Sequence, residues 1–284
     1  MTATCAVGQP ELEEGFDGIE LGLHRAQSSR VESCLLGGID GFGADRETAG
    51  QLMALDPTAV RSALQRKAFR RAAMSFIAGC GPMRILDLGC GLPLPHWWKA
   101  ARSHSVQRWL VGEVCELAAP GSRVLYVDQD PVVMSHARAR LAGNGACAVR
   151  HLHADLADVE TVLAATEVCE GEPFVLALFD SLHEVEDAHA VVAAYKEAAA
   201  PGSLLAVSHR SLDDVQDCRY AAGRGSTGLP FHPRSREEFT ALFDGWELLG
   251  PGVVPAERWS AARAPGKRRL TRAAGAYGAV ARKR

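Results

Sequence analysis

No two cysteines of this sequence stand three positions apart as C-x-x-C. The eight present, Cys5, Cys34, Cys80, Cys90, Cys115, Cys147, Cys169 and Cys218, are scattered along 284 residues. Such spacing argues against metal knuckles and against a disulfide framework, so free buried thiols are expected. No apolar run approaches the roughly 18 residues that a membrane span requires. A basic stretch followed by an apolar one, the mark of an export signal, is missing at the N-terminus, so a cytoplasmic location is expected. Charge of one sign is not in excess either: 31 Lys and Arg against 34 Asp and Glu leave a net −3. That balance gives no electrostatic case for nucleic acid. Aromatic residues are only 6% of the chain, which makes the adjacent pair Trp97 and Trp98 conspicuous.

What is present is apolar surface: 47% of the residues are hydrophobic, enough for an ordinary core. The length suits one α/β domain with decorations. Arg84-Ile85-Leu86-Asp87-Leu88-Gly89-Cys90-Gly91 reads as a short apolar strand running into a Gly-x-Gly turn. Glycine lets the backbone approach a ligand that a Cβ would hold off. Two further strands end in acids, Arg123-Val124-Leu125-Tyr126-Val127-Asp128 before Gln129-Asp130-Pro131, and Val149-Arg150-His151-Leu152-His153-Ala154-Asp155. Backbone amides at a turn and an acid for ribose hydroxyls suit a nucleoside. The turn has neither the Lys-Ser/Thr that would hold phosphates nor a third glycine for a pyrophosphate. That favours a nucleoside without phosphates, with S-adenosylmethionine (SAM) the leading case. His151 and His153 share one face of their strand beside Asp155, yet no further ligand is in sight and no metal is expected.

Residues 1–28 are acidic and low in pattern and read as a mobile arm. A helical N-terminal lid segment is expected over 29–80, including a glycine-rich bend at 37–43 and a helix over 59–78. A SAM-binding domain over 81–284 follows. After the glycine turn, Pro93 and Pro95 hold an extended piece bearing Trp97 and Trp98, candidates with Phe42 for the substrate pocket, since aromatic faces attract a sulfonium. The strand 174–179 ends in Asp180-Ser181-Leu182-His183-Glu184, an acid, a hydroxyl and an imidazole at the sheet edge where α/β proteins keep their chemistry. Strands and helices alternate to the end, with an antiparallel-looking last strand at 277–282. The expected fold is a three-layer, doubly wound, Rossmann-like α/β domain with a mostly parallel sheet.

These stretches, with Leu35-Leu36-Gly37-Gly38-Ile39-Asp40, Ala44-Asp45-Arg46-Glu47, His136-Ala137-Arg138 and Phe243-Asp244-Gly245-Trp246, resemble an actinobacterial family of SAM-dependent methyltransferases with the class I Rossmann-like fold, often described only as a domain of unknown function. The resemblance covers roughly 31–284. It implies that Asp87, Gly89, Cys90 and Gly91 lie near the methionine part of SAM, Asp128 and Gln129 by the ribose, Asp155 and Leu156 by the adenine, and Asp45 and Arg46 in a lid. Departures lie on the substrate side: Ile39 and Gly41 stand where the family has Lys and Asn, Leu110 and Gly112 where it has Asn and His, an insertion carries the Trp pair, and Asp180-Ser181 replaces an apolar strand end.

Three readings follow. The first is methyl transfer to an oxygen or nitrogen of a small molecule of specialised metabolism, with Asp180 or His183 as base and Ser181 positioning the acceptor. In the second SAM is itself the substrate, cyclised to an azetidine or cyclopropane amino acid with release of methylthioadenosine, and Asp180 is the base. The third is a binding protein without catalysis. A homodimer is left open, since one chain reveals no interface.

Overall fold

The computed structural model describes residues 20–93, 111–143, 145–166, 171–213, 221–260 and 275–284. Trp97, Trp98 and nearly all of the N-terminal arm lie outside these residues. Seven strands form one sheet: β1 Arg84–Leu88, β2 Arg123–Asp128, β3 Ala148–His153, β4 Phe174–Phe179, β5 Leu204–Arg210, β6 Glu247–Pro255 and β7 Ala276–Arg282. Their order is β3-β2-β1-β4-β5-β7-β6. β1 to β5 run parallel, and β7 is antiparallel to both β5 and β6. The chain leaves β1 in one direction to reach β2 and later returns to its other side with β4. The crevice at this reversal is where such sheets bind ligands.

Helices α1 Ser28–Leu35, α2 Gly43–Leu55 and α3 Ala59–Ala78 precede the sheet. α4 Val111–Ala118, α5 Pro131–Arg140, α6 Val159–Ala165, α7 Ala188–Ala198 and α8 Arg236–Ala241 follow among its strands. Pro57 divides α2 from α3, because a proline drives the residue before it out of helical angles; Asp56 is extended at φ −134° and ψ 99°.

Alternation along the strands sorts the core into two layers. Ile85, Val124, Tyr126 and Val175 face Phe69, Met74 and Ile77 of α3 with Val133 and Met134 of α5. Leu86, Leu88, Leu125, Leu176 and Leu178 face Val162, Val192, Tyr195 and Phe239 of α6, α7 and α8. α1 and α2 pack on each other in a cluster of their own around Val31, Leu35, Ala49 and Leu52, while α3 shares a core with the sheet. Its fit is close: a Cβ on Gly278 of β7 would lie 2.5 Å from the Phe69 ring. β6 runs through Pro251, which an edge strand tolerates; its register breaks between Leu249 and Val254.

Candidate active site

β1 ends where β2 delivers an acid. The Gly89 and Cys90 amides donate to the Val127 carbonyl at 2.8 and 3.1 Å, and the Gly91 amide donates to Asp128 Oδ2 at 3.0 Å. Gly89 and Gly91 take φ of +69° and +71°, which glycine alone adopts without strain. A Cβ on Gly89 would lie 2.5 Å from Ser181 Cβ, so the turn rests directly on the loop after β4. Asp128 Oδ1 also accepts the Asp130 amide at 3.0 Å. Burial outweighs these bonds and raises its pKa to about 6. Asp130 caps α5 through the Val132 amide.

The cavity at this edge is walled on its far side by α1 and α3 and runs past Asp128, Asp155 and Leu156 to Asp180, Ser181, His183, Glu184, Arg210 and Arg224. Asp180 is the one non-glycine residue with positive φ, +61°, among the described residues. Its Oδ2 accepts from Arg66 Nε of α3, Arg210 Nε is 4.0 Å from Oδ1, and burial is overcome by these cations, so its carboxyl titrates below the ordinary range. Arg66 also donates to Ser62 and Glu32, and Lys67 Nζ reaches Glu32 at 2.6 Å.

His183 sits between two carboxylates, Nδ1 3.6 Å from Asp180 Oδ1 and Nε2 3.9 Å from Glu184 Oε1. Burial first, then the Arg224 and Arg210 charges, hold it well below its usual pKa, so its ring is neutral. Glu184 goes the other way: burial raises it to about 7, against a hydrogen bond from Ser28 and the Arg224 charge. The turn carrying both residues is wrapped around Arg234. Its Nη1 donates to the Leu182 and His232 carbonyls at 3.1 and 3.0 Å and to His209 Nε2 at 2.7 Å, and Nη2 donates to the Val185 and Glu186 carbonyls at 2.9 Å each. His209 therefore keeps its proton on Nδ1, which donates to the Arg210 carbonyl, and burial lowers its pKa to about 4.

Of the residues expected from the sequence, the cavity gathers Gly89, Cys90, Gly91, Asp128, Gln129, Asp155, Leu156, Asp180, Ser181 and His183. Four stand elsewhere. Asp87 follows Ile85 on the face toward α3, where Arg70 pairs with it and also donates to the Cys90 carbonyl at 3.2 Å; it braces the glycine turn from behind. Asp45 is fully buried and accepts the Phe42 and Gln27 amides at 2.8 and 3.0 Å, because it caps α2. Phe42 lies against Arg30, and Arg46 donates to the Gly41 carbonyl. His151 stacks on Tyr126, and His153 bonds the Gln129 carbonyl.

Glu184, Arg66, Arg210 and Arg224 were not singled out from the sequence. For Arg66 a signal existed: Ser62, Ala63, Arg66, Phe69, Arg70 and Ala73 follow helical spacing on one buried face of α3, and an arginine on such a stripe needs a partner. Arg224 follows β5 by a stretch with no pattern that would aim it anywhere.

The strand order, the glycine turn and the buried acid at the end of β2 define a Rossmann-like nucleoside-binding protein. A family model described as S-adenosyl methyltransferase matches residues 17–284, and the chain belongs to that family, an enzyme family whose cofactor is SAM. Two solved structures are similar over nearly the whole chain. A DUF574 family protein of Streptomyces avermitilis is 26% identical with a TM-score of 0.80, covering 93% of this chain and 100% of that one. A candidate methyltransferase of Thermobifida fusca is 29% identical with a TM-score of 0.77, covering 93% and 97%. No curated protein matches the sequence.

The cavity fits this cofactor chemically. Asp128 has lone pairs to spare for hydroxyl donors, an added Cβ at Gly91 would meet nothing closer than 3.9 Å, and acidic and basic side chains both line the wall, as a zwitterion with a sulfonium asks. Among the described residues, Asp180 Oδ1, Ser181 Oγ and His183 Nδ1 are buried without a hydrogen-bond partner, a polar surface built to meet a ligand.

Proposed function

We propose that the chain transfers the methyl group of SAM to an oxygen or nitrogen of a small molecule, in the cytoplasm and within specialised metabolism. The observation that carries this reading is the meeting of two sets of groups in one cavity. The glycine turn and Asp128 lie at one end, and Asp180, Ser181, His183 and Glu184 at the other. SAM, when bound, supplies an electrophilic methyl on a sulfonium. In this reading Gly89, Cys90 and Gly91 hold its methionine part, Asp128 the ribose, and Asp155 with Leu156 the adenine. Ser181 and His183 then orient the acceptor, and α1 with α3 forms the wall that excludes water. Asp180 is tied to Arg66 and stays ionised. Such a group holds charge in place well but takes up a proton poorly.

The same pairing weakens ring closure of SAM, which asks Asp180 to be the base, and that reading draws no support from the family. The deciding measurement is mass spectrometry of the purified protein with SAM, alone and with small hydroxyl and amine acceptors. S-adenosylhomocysteine matched by methylated acceptor is the expected result. Methylthioadenosine formed from SAM alone would overturn it.

A further inference from the structure

Six acids line the cavity, and five are committed. Asp128 accepts the Gly91 and Asp130 amides. Asp130 accepts the Val132 amide and lies 3.3 Å from Arg30. Asp155 accepts the Ala157 amide, Glu32 pairs with Arg66 and Lys67, and Asp180 with Arg66. Glu184 differs. Among the described residues its neighbours are the Ser28 hydroxyl and His183 Nε2 at 3.9 Å, and no lysine or arginine nitrogen is paired with it. Its side chain keeps 25% of its surface open, against 9% for Asp180. The turn that carries it is held by Arg234 from behind, so the carboxylate is aimed and not merely exposed.

Resting on the methyltransferase reading above, we infer that Glu184 is the catalytic base, and that the acceptor presents an acidic hydroxyl of the phenol or enol type against it. The acceptor O–H bond breaks and its proton passes to the Glu184 carboxylate. The oxygen lone pair forms the O–CH3 bond, and the pair of the broken S–CH3 bond returns to sulfur. Glu184 then loses its proton to solvent.

The groups facing Glu184 agree. Ser28 of α1 bonds it, and Ser28 Oγ in turn accepts from Arg224 Nη2 at 3.1 Å. His183 is neutral, while Asp128 and Asp180 add negative charge that, after burial, helps raise its pKa to about 7. A carboxylate titrating there is a stronger base than Asp128, at about 6, and base catalysis is most effective with a pKa near the working pH. A tyrosine-like hydroxyl, ionising at about 10, can yield its proton to it; an aliphatic alcohol is too weak an acid. The cation whose charge acts on it, Arg224, favours an oxygen gaining negative charge over an ammonium.

The test offers the full chain methyl-labelled SAM with catechol, 4-methylphenol and a 1,3-diketone, and with benzylamine as the amine arm. Wild type, Glu184→Gln and Glu184→Asp are compared for SAM affinity by calorimetry and for label transferred across pH 5–9. In parallel, the protonated-carboxyl infrared band of the protein with S-adenosylhomocysteine is followed across pH. Expected are unchanged SAM affinity in all three, hydroxyl methylation reduced about 100-fold or more in Glu184→Gln, partial rescue by Asp, and loss of the acidic limb near pH 7. The matching infrared band should be missing in Glu184→Gln. Undiminished methylation by Glu184→Gln, transfer to benzylamine alone, no transfer by wild type that binds SAM, or no such band overturns the inference. Failure of wild type to bind SAM overturns the methyltransferase reading beneath it.

Discussion

Asp87 and Asp128 end neighbouring strands with the same residue type and opposite surroundings. Among the described residues Asp128 meets only backbone amides, and burial raises it to about 6. As a hydroxyl acceptor it must be ionised, so SAM affinity should weaken as pH falls through about 6, and Asp128→Asn should bind weakly with that dependence abolished. Calorimetry between pH 5 and 8 checks this; a parallel pH profile in the variant would refute it. Asp87 has a guanidinium against it, and burial, which works against the Arg70 charge, is overcome by that carboxylate. Removing one partner of a buried pair leaves the other uncompensated, so Arg70→Met should cost about 3–5 kcal/mol in denaturant unfolding. Pairing it with Asp87→Leu should recover most of the loss, and failure to recover would mean that the Arg70 bond to the Cys90 carbonyl matters more.

At the scale of elements, the turn after β4 depends on α8's neighbourhood more than on its own residues. Arg234 gathers the carbonyls of Leu182, Val185, Glu186 and His232 with the His209 ring. Arg234→Ala leaves these acceptors buried without a donor and should lower stability by about 3 kcal/mol or more, at about 1–3 for each buried group left unmet. Arg234→Lys, a point charge without the planar fork, should fold better yet leave the turn loose; faster hydrogen exchange at 182–186 would reveal it. α3 and β7 make the second dependence. Gly278→Ala pushes a Cβ into the Phe69 ring, so a drop in melting temperature is expected, reduced when Phe69 is trimmed to Leu.

At the scale of the whole molecule, Arg30 ties α1, a wall of the cavity, to the start of α5 beyond β2, beside the pairs that Ser28 and Glu32 make with Arg224, Arg66 and Lys67. Arg30 is fully buried, 3.5 Å from Asp45 of α2 and 3.3 Å from Asp130 before α5, and it also donates to the Gly22 and Arg25 carbonyls. Arg30→Met leaves two buried acids unpaired, with an expected loss of about 3–5 kcal/mol. If the tie is what keeps α1 in place, hydrogen exchange over 28–35 should rise and SAM affinity should fall while the β-sheet amides stay protected. Uniform loss of protection would instead mean that α1 and the sheet unfold as one unit.

How much of this was legible depends on the range of the forces involved. Strand alternation, the 59–78 helix and the glycine turn rest on neighbours in sequence, and each lies where the pattern put it, with the antiparallel last strand. By itself the sequence determined the Rossmann-like class, the acids at the ends of β2 and β3, and the cavity residues Gly89, Asp128 and Asp180. Only the tertiary structure decided which acids face the cavity and in what charge state. Asp87 turns to α3 because it shares a face with Ile85, and Asp45 is consumed as a helix cap. Glu184 is left uncommitted because Arg66, 114 positions from Asp180, pairs with that acid instead. Such pairings depend on which strands the sheet sets side by side. Burial raises both carboxyls; the Arg66 and Arg210 charges overcome it at Asp180, whereas the Ser28 hydroxyl and the Arg224 charge do not at Glu184, a distinction no local spacing carries.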